Sequence, residues 1–372
     1  MTLDSKPNLT PSSSSDIELK VSRRRLAQQA AMIAGGIAAT GVFSTVSASD
    51  ATPEASPEAS PSASPVAVVT PDPNATFKVV SPTREEVIAQ YKGANGFEEP
   101  ANTGGDVIQV FSSDITMVNP MLAQDLASGF VTDLIYQSLV SVNAVDGTYV
   151  PALADSWELS SDGVRWRFHL NPNAIWHDGK PVTADDVLFS FAAMLAPDGL
   201  APSRGTLERA LANIEKINDH TVELTSPVPM AIFLTNTASN VPIMPMHIWG
   251  DVANADWPSD EGTTGRNPAR VIGSGPFKFV EWVQNDHVTV ARNDDYWLKD
   301  EIPVIDRYIY RIVAASTAAL QSLQTGEADI SSVSPAQAPS FIEKNPDLTI
   351  TKFNRANITY YETNMDETKT TL

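Results

Sequence analysis

The stretch from Trp176 to Phe191, WHDGKPVTADDVLFSF, combines one histidine with three aspartates, the residue types that metal and acid–base sites use. Neighbouring His177 and Asp178 point to opposite sides in most backbones, and no second histidine lies three or four residues away, as a helical zinc site would need. The chain's remaining histidines are scattered singly: His169, His220, His247 and His287. The pattern therefore disfavours a metal or catalytic role for His177.

The same stretch carries the signals of a helix start. Thr183 is placed as an N-cap, and Asp186 three residues later completes a capping box. Asp185 and Asp186 also favour the positive end of a helix dipole. Apolar side chains at helical spacing follow on one face: Val187, Leu188, Phe191, Met194 and Leu195. Two of the three aspartates thus have structural tasks, and Trp176 is predicted to be a core or lid aromatic beside the preceding hairpin.

Composition excludes several classes of protein. The chain has 372 residues, no cysteine and a formal net charge of −20. Without cysteine there are no disulfides, thiolate zinc sites, cysteine nucleophiles or lipid-bearing cysteine. Nucleic-acid binding needs a basic face, which this composition does not supply. The length is enough for two domains.

Sequence motifs of catalysis are also missing. GSGPF, from Gly273 to Phe277, is neither a nucleophile elbow nor a dinucleotide-binding loop, and the chain contains no P-loop and no H-E-x-x-H. A secreted hydrolase stays open as an alternative, because 45 acidic residues could supply a carboxylate pair that sequence does not reveal.

The N-terminal region predicts export. Residues 1–48 resemble a twin-arginine signal peptide, with Ser22-Arg23-Arg24, a weakly apolar run and small residues before Ala48. We expect cleavage after Ala48, with a retained membrane anchor as the alternative. Residues 49–76 form an Ala/Ser/Pro-rich linker that we expect to be disordered. Residues 77–105 form an extension with a helix over 83–92.

The rest of the chain mixes β-α-β units with antiparallel hairpins. Turn dipeptides predict hairpins around Asp162-Gly163, Asn218-Asp219 and Asn285-Asp286. A helix is predicted over 130–140, and residues 304–333 form a strand–helix–strand unit that ends its helix at Gly326. A helix opening at Ser334-Pro335 and two final strands, LTITKF and NITYYETN, complete the pattern.

Five stretches in order resemble one family. They are VPALADSWELSSDGVRWRFHLNPNAIWHDGKPVTADDVLFSF, INDHTVELTSPVP, VIGSGPFKFVEWVQNDHVTVARNDDYW, LQSLQTGEADI and ITYYETN. Together they resemble the family 5 extracellular solute-binding proteins of ABC importers. The resemblance implies an α/β, periplasmic-binding-protein-like (class II) fold. Lobe one comprises residues 106–147 and 243–372, a small α+β domain is inserted at 148–242, and the second lobe is expected to be missing.

This resemblance implies a binding protein and not an enzyme, exported to the periplasm or the outer face of a bacterial membrane. Its ligand would be a di- or oligopeptide delivered to ABC transporter permease subunits; a nickel or other solute is the alternative. No cofactor or resident metal is implied. The predicted ligand-binding residues are Asp125, Leu126, Ala127, Ser128, Ser331, Ser332 and Val333. For Asp125, contact with a peptide amino terminus and simple capping of the next helix remain equal alternatives.

Overall fold

A computed structural model describes residues 17–21, 69–94, 103–143 and 146–352. Its strands are β1 (Ile17–Val21), β2 (Phe77–Val79), β3 (Asp106–Phe111), β4 (Val140–Val142), β5 (Tyr149–Pro151), β6 (Ala154–Ser160), β7 (Arg165–Leu170), β8 (Asn213–Asn218), β9 (Thr221–Thr225), β10 (Phe277–Val283), β11 (His287–Arg292), β12 (Arg307–Ile312), β13 (Ile330–Val333) and β14 (Leu348–Lys352). Its α-helices are α1 (Arg84–Ala94), α2 (Leu126–Ile135), α3 (Ala184–Leu195), α4 (Arg204–Ala210), α5 (Phe233–Asn236), α6 (Met246–Trp249), α7 (Ser316–Thr325) and α8 (Ala338–Lys344).

The larger sheet has seven strands in the order β10-β11-β12-β3-β13-β1-β14. Its centre is parallel, because β12 and β13 both run parallel to β3, which lies between them. The hairpin β10–β11 and the strands β1 and β14 add antiparallel pairs on either side. This mixture is the one expected from the combination of a β-α-β unit with hairpins.

Apolar side chains cover both faces of this sheet. On one face, Val110 and Val333 pack with Leu320 and Leu323 of α7 and with Ala338 of α8. The other face joins a larger core that includes α2, α3 and the second sheet. The sheet is therefore the middle layer of an α/β lobe, as the class II fold requires.

The second sheet is antiparallel throughout, in the order β2-β6-β7-β9-β8. Four of its strands come from residues 154–225, within the segment expected as an inserted domain. The fifth, β2, comes from the N-terminal extension and pairs with β6. The extension is thus built into the small domain, which the sequence did not predict.

The boundary of the linker also differs from the prediction. Residues 69–76 were expected to be disordered, but Val69 N donates to Pro227 O at 2.8 Å and Asp72 N donates to an Asp162 carboxylate oxygen at 2.8 Å. Residues 69–76 therefore contact the small sheet instead of belonging to a disordered linker. Within the predicted signal peptide, the backbone of residues 17–21 forms β1; the remainder of residues 1–68 lies outside the described residues, as does the predicted strand NITYYETN.

Helices α2 and α8 start at positions other than those predicted, whereas α1 follows Thr83, the first residue of the predicted capped helix. Helix α2 covers 126–135 instead of 130–140, because Asp125 caps it and its last carbonyls contact a glycine turn. Helix α1 begins at Arg84, with Thr83 as its cap: Glu86 N donates to the Thr83 hydroxyl and Thr83 N donates to the Glu86 carboxylate. Helix α8 begins at Ala338, four residues after the predicted start.

Candidate ligand-binding site

Three parallel strands end at one edge of the larger sheet. Strands β12, β3 and β13 run in the same direction, so their carboxyl ends lie together. The loop 112–125 follows β3 and leads into α2. In open α/β sheets, ligands bind in the crevice outside the carboxyl ends of the strands. This edge is therefore the candidate site, and both predicted ligand-binding stretches border it.

Asp125 occupies the N-cap of α2. Its Oδ1 atom accepts a hydrogen bond from Ser128 N at 2.8 Å, and its Oδ2 atom accepts one from the Thr116 hydroxyl at 2.5 Å. The capping alternative is thus the contact that the structure contains. The residue stays partly exposed, and each carboxylate oxygen can accept a second bond, so the cap leaves room for a cationic group.

The three residues after Asp125 divide into two kinds. Leu126 is 55% exposed, whereas Ala127 and Ser128 are buried. The Ser128 hydroxyl accepts hydrogen bonds from Thr116 N at 2.9 Å and Met117 N at 3.3 Å. Ala127 and Ser128 therefore support the loop from inside, whereas the side chains of Asp125 and Leu126 are the ones that reach solvent.

The second predicted stretch forms β13. Ser331 and Val333 are buried and Ser332 is exposed, as expected for alternation along a strand. Their backbone is not free in this chain, because Ile17, Glu18 and Leu19 of β1 lie antiparallel to Val333, Ser332 and Ser331. The backbone groups expected to meet a ligand are thus paired with a strand from the predicted signal peptide.

Asp114 is a residue of this edge that sequence reasoning missed. One of its oxygens accepts from Trp282 Nε1 at 2.9 Å, and the other accepts from Asn285 N at 2.7 Å. Asn285 lies in the β10–β11 turn and has a φ of 60°, in the left-handed region. The turn dipeptide Asn285-Asp286 was visible in the sequence, but its contact with the loop after β3 was not.

The far end of α2 rests on the glycine turn Gly273–Gly275. Gly275 N donates to Ile135 O at 2.8 Å, and a Cβ added at Gly273 would lie 1.9 Å from the same oxygen. The imidazole of His177 joins this turn: its Nδ1 accepts from Gly273 N at 3.2 Å and its Nε2 lies 3.0 Å from Gly275 O. Burial lowers the pKa of His177 to about 4, which keeps the ring neutral.

Other residues of the stretch from Trp176 to Phe191 also make structural contacts. The buried Asp186 carboxylate accepts hydrogen bonds from Thr183 N at 2.9 Å, Met246 N at 2.9 Å and Trp176 Nε1 at 3.4 Å. Trp176 is itself buried in the core. The stretch from Trp176 to Phe191 therefore serves the scaffold, in agreement with the sequence analysis.

A surface pocket of about 440 Å³ opens beside the N-terminus of α3. Two of its three acidic residues have internal partners: Asp186 accepts from Thr183 N, and Asp185 pairs with Lys216 at 2.9 Å. His247 at its rim pairs with Asp178 at 2.7 Å. We assign this pocket no ligand, since it lies in the scaffold and not at the carboxyl edge.

Among the residues that the structure describes, His, Cys, Asp and Glu are nowhere gathered in a group of three or more that could hold a metal ion. None of the described helices has the length and apolar character needed to cross a membrane.

Comparison with protein families identifies the family of this chain. Residues 148–371 match the model of the bacterial extracellular solute-binding proteins, family 5. This chain belongs to that family. The family consists of binding proteins, which accords with a scaffold role for the motif-like residues above. The larger sheet with its flanking helices corresponds to the predicted lobe one, and the second sheet corresponds to the predicted small domain; this division stays a prediction.

The chain is similar to receptors with different ligands. It is 30% identical over 247 residues to the oligopeptide-binding protein AppA of Bacillus subtilis, covering 66% of this chain and 44% of AppA. The AppA structure with a nonapeptide superposes with a TM-score of 0.60 at 28% identity, covering 66% of this chain and 47% of that one. The glutathione-binding protein GsiB of Pectobacterium atrosepticum is 29% identical, covering 68% and 46% of the two chains. The structure of NikZ from Campylobacter jejuni with Ni(L-His) has a TM-score of 0.51 at 26% identity, covering 60% and 42%. The chain thus spans about half the length of these relatives.

Proposed function

We propose that this protein is the extracytoplasmic substrate-binding component of an ABC importer, which captures di- or oligopeptides and delivers them to membrane permease subunits. The observation that carries the proposal is the position of Asp125 at the carboxyl edge, partly exposed next to the exposed Leu126. A carboxylate beside an apolar side chain suits a peptide amino terminus followed by its first side chain. The similarity to AppA supports a peptide as the ligand.

Asp125 offers a variant that separates binding from folding. Asparagine caps helices about as well as aspartate, so Asp125→Asn should keep α2 intact while it removes the negative charge. A charge-assisted hydrogen bond contributes roughly 1.5–3 kcal/mol, and we therefore expect affinity for a free-amine peptide to fall at least about tenfold. Asp185→Asn, at the start of α3, is the matched control and should leave affinity unchanged.

The experiment is calorimetry of exported protein with four probes: trialanine, N-acetyl-trialanine, glutathione and Ni(L-His). Trialanine should bind more tightly than its acetylated form, and Asp125→Asn should abolish that difference. Equal affinity for both forms in the wild-type protein would remove Asp125 as the amine contact. Binding of Ni(L-His) with no binding of peptide or glutathione would replace the peptide proposal by a nickel receptor.

A further inference from the structure

The loop after β3 is hydrogen-bonded to the β10–β11 hairpin on one side and to Asp125 on the other. On one side, Asp114 accepts hydrogen bonds from Trp282 Nε1 and Asn285 N. On the other side, two residues later, Thr116 donates to Asp125. Only Ile115 separates the two attachment points, and Ile115 is buried. A shift of Asp114 is therefore passed to Asp125 through one fixed residue.

We infer that Asp114 is a positioning residue for the ligand: it attaches the β10–β11 turn to the loop 112–125 and so holds Asp125 in place. The inference rests on the proposed function, since it assigns Asp114 a role in setting the ligand contact. Asp114 also accepts from Ile115 N at 2.8 Å, so its carboxylate accepts from one donor of its own loop and two donors of the β10–β11 hairpin.

The turn that Asp114 contacts is itself fixed to the sheet. Ile312 N donates to Asp286 O at 2.8 Å, which joins the turn to the end of β12. The ring of Trp282 packs beside Gly265, where an added Cβ would lie 3.3 Å from it. A rigid turn is a suitable support for a binding loop, because a loop ordered before binding loses less entropy when the ligand arrives.

The test removes one hydrogen bond and keeps the ring. Trp282→Phe deletes the indole N–H that Asp114 accepts but retains an aromatic side chain. Trp257→Phe is the matched control, because Trp257 also uses its indole N–H in one hydrogen bond, to Val252 O at 3.1 Å and not to the loop 112–125. Hydrogen–deuterium exchange over residues 112–128 and trialanine affinity are measured for both variants and the wild type.

We expect Trp282→Phe to speed exchange in residues 112–128 at least about fivefold and to weaken trialanine binding about fivefold, while Trp257→Phe changes neither. Unchanged exchange in Trp282→Phe overturns the inference. Faster exchange with unchanged affinity also overturns it, because Asp114 would then be structural only. If the wild-type protein binds no peptide, the proposed function fails by that result, and the exchange data alone still decide whether Asp114 holds the loop.

Discussion

The Nε2 atom of His177 lies 3.0 Å from the carbonyl oxygen of Gly275, which is 98 positions further along the chain. The pair joins the loop after β7 to the turn that precedes β10. Since the same turn supports the last residues of α2, the contact links the small domain to the helix whose other end carries Asp125.

Acid should weaken this contact. The pKa of His177 is about 4 in the folded protein and near 6.5 when unperturbed, so the unfolded chain binds more protons between these values. This pKa difference stabilises the folded protein by up to about 3 kcal/mol above pH 6.5. The stabilisation is lost as the pH falls from 6.5 through about 4. Urea unfolding of wild type and His177→Gln at pH 7.0 and 4.5 measures it. The difference between the two proteins should shrink at pH 4.5, and an equal difference at both values would contradict the prediction.

The glycine turn should tolerate no side chain. A Cβ at Gly273 would lie 1.9 Å from Ile135 O, so Gly273→Ala should lower the free energy of unfolding by at least about 3 kcal/mol or prevent folding. Gly129 in α2 is the control: an added Cβ there meets nothing within 4 Å. Gly129→Ala should raise stability by about 0.5–1 kcal/mol, because alanine is the better helix former. Thermal and urea unfolding decide both.

The cap of α3 should depend more on Asp186 than on Thr183. Asp186→Ala leaves the buried Trp176 Nε1 and the partly buried Met246 N without this acceptor, and we expect a loss of about 3 kcal/mol. Thr183→Ala should cost about 1 kcal/mol or less. Urea melts give the stabilities and calorimetry gives the affinities. A drop in ligand affinity at unchanged stability would show that this stretch is not merely scaffold.

Arg84 should stabilise the packing of the N-terminal extension against the rest of the protein. Its guanidinium donates to Asp155 at 3.0 Å and Ala152 O at 2.5 Å and lies 3.5 Å from Glu301. Glu301 keeps 38% of its side chain exposed, so its pairing contributes modestly. We expect Arg84→Leu to cost about 2 kcal/mol in all. Proteolysis should then cut within residues 69–94 first; uniform resistance to cleavage would contradict this.

Export should require the arginine pair. We expect a mature protein that begins at Ser49, and replacement of Arg23 and Arg24 by lysine should retain the chain in the cytoplasm. Arg25→Lys is the control and should be exported normally. Mass spectrometry of the secreted protein gives the N-terminus. An exported protein that still begins at Met1 would favour the anchor alternative.

Local signals in the sequence predicted much of the fold. Gly326 ends α7 in the left-handed conformation with a φ of 75°, as a C-terminal glycine should. The turns at Asp162-Gly163 and Asn218-Asp219 also lie between the strands they were expected to connect. Each of these features depends on the conformational preferences of two or three neighbouring residues, and those residues are visible in the sequence.

Contacts between distant segments could not be predicted in this way. Asp114 and Asn285 are 171 positions apart. Aspartate and asparagine are common in turns, so their residue types do not indicate this contact. The same holds for His177. Its sequence neighbours are residue types found in metal and acid–base sites, but its ring contacts the backbone of Gly273 and Gly275. At Asp125, the sequence left two alternatives open because a cap and an amine contact use the same carboxylate.

The contacts of residues 69–79 determine how a pull at Val69 would act on the chain. Tension would reach the Val69–Pro227 bond first, then Asp72 and its partner Asp162, then β2. These bonds would open one after another, and the small sheet would yield before Arg84 is loaded. A pull on the residues before β1 would instead load the larger sheet, because β1 pairs there with β13 and β14.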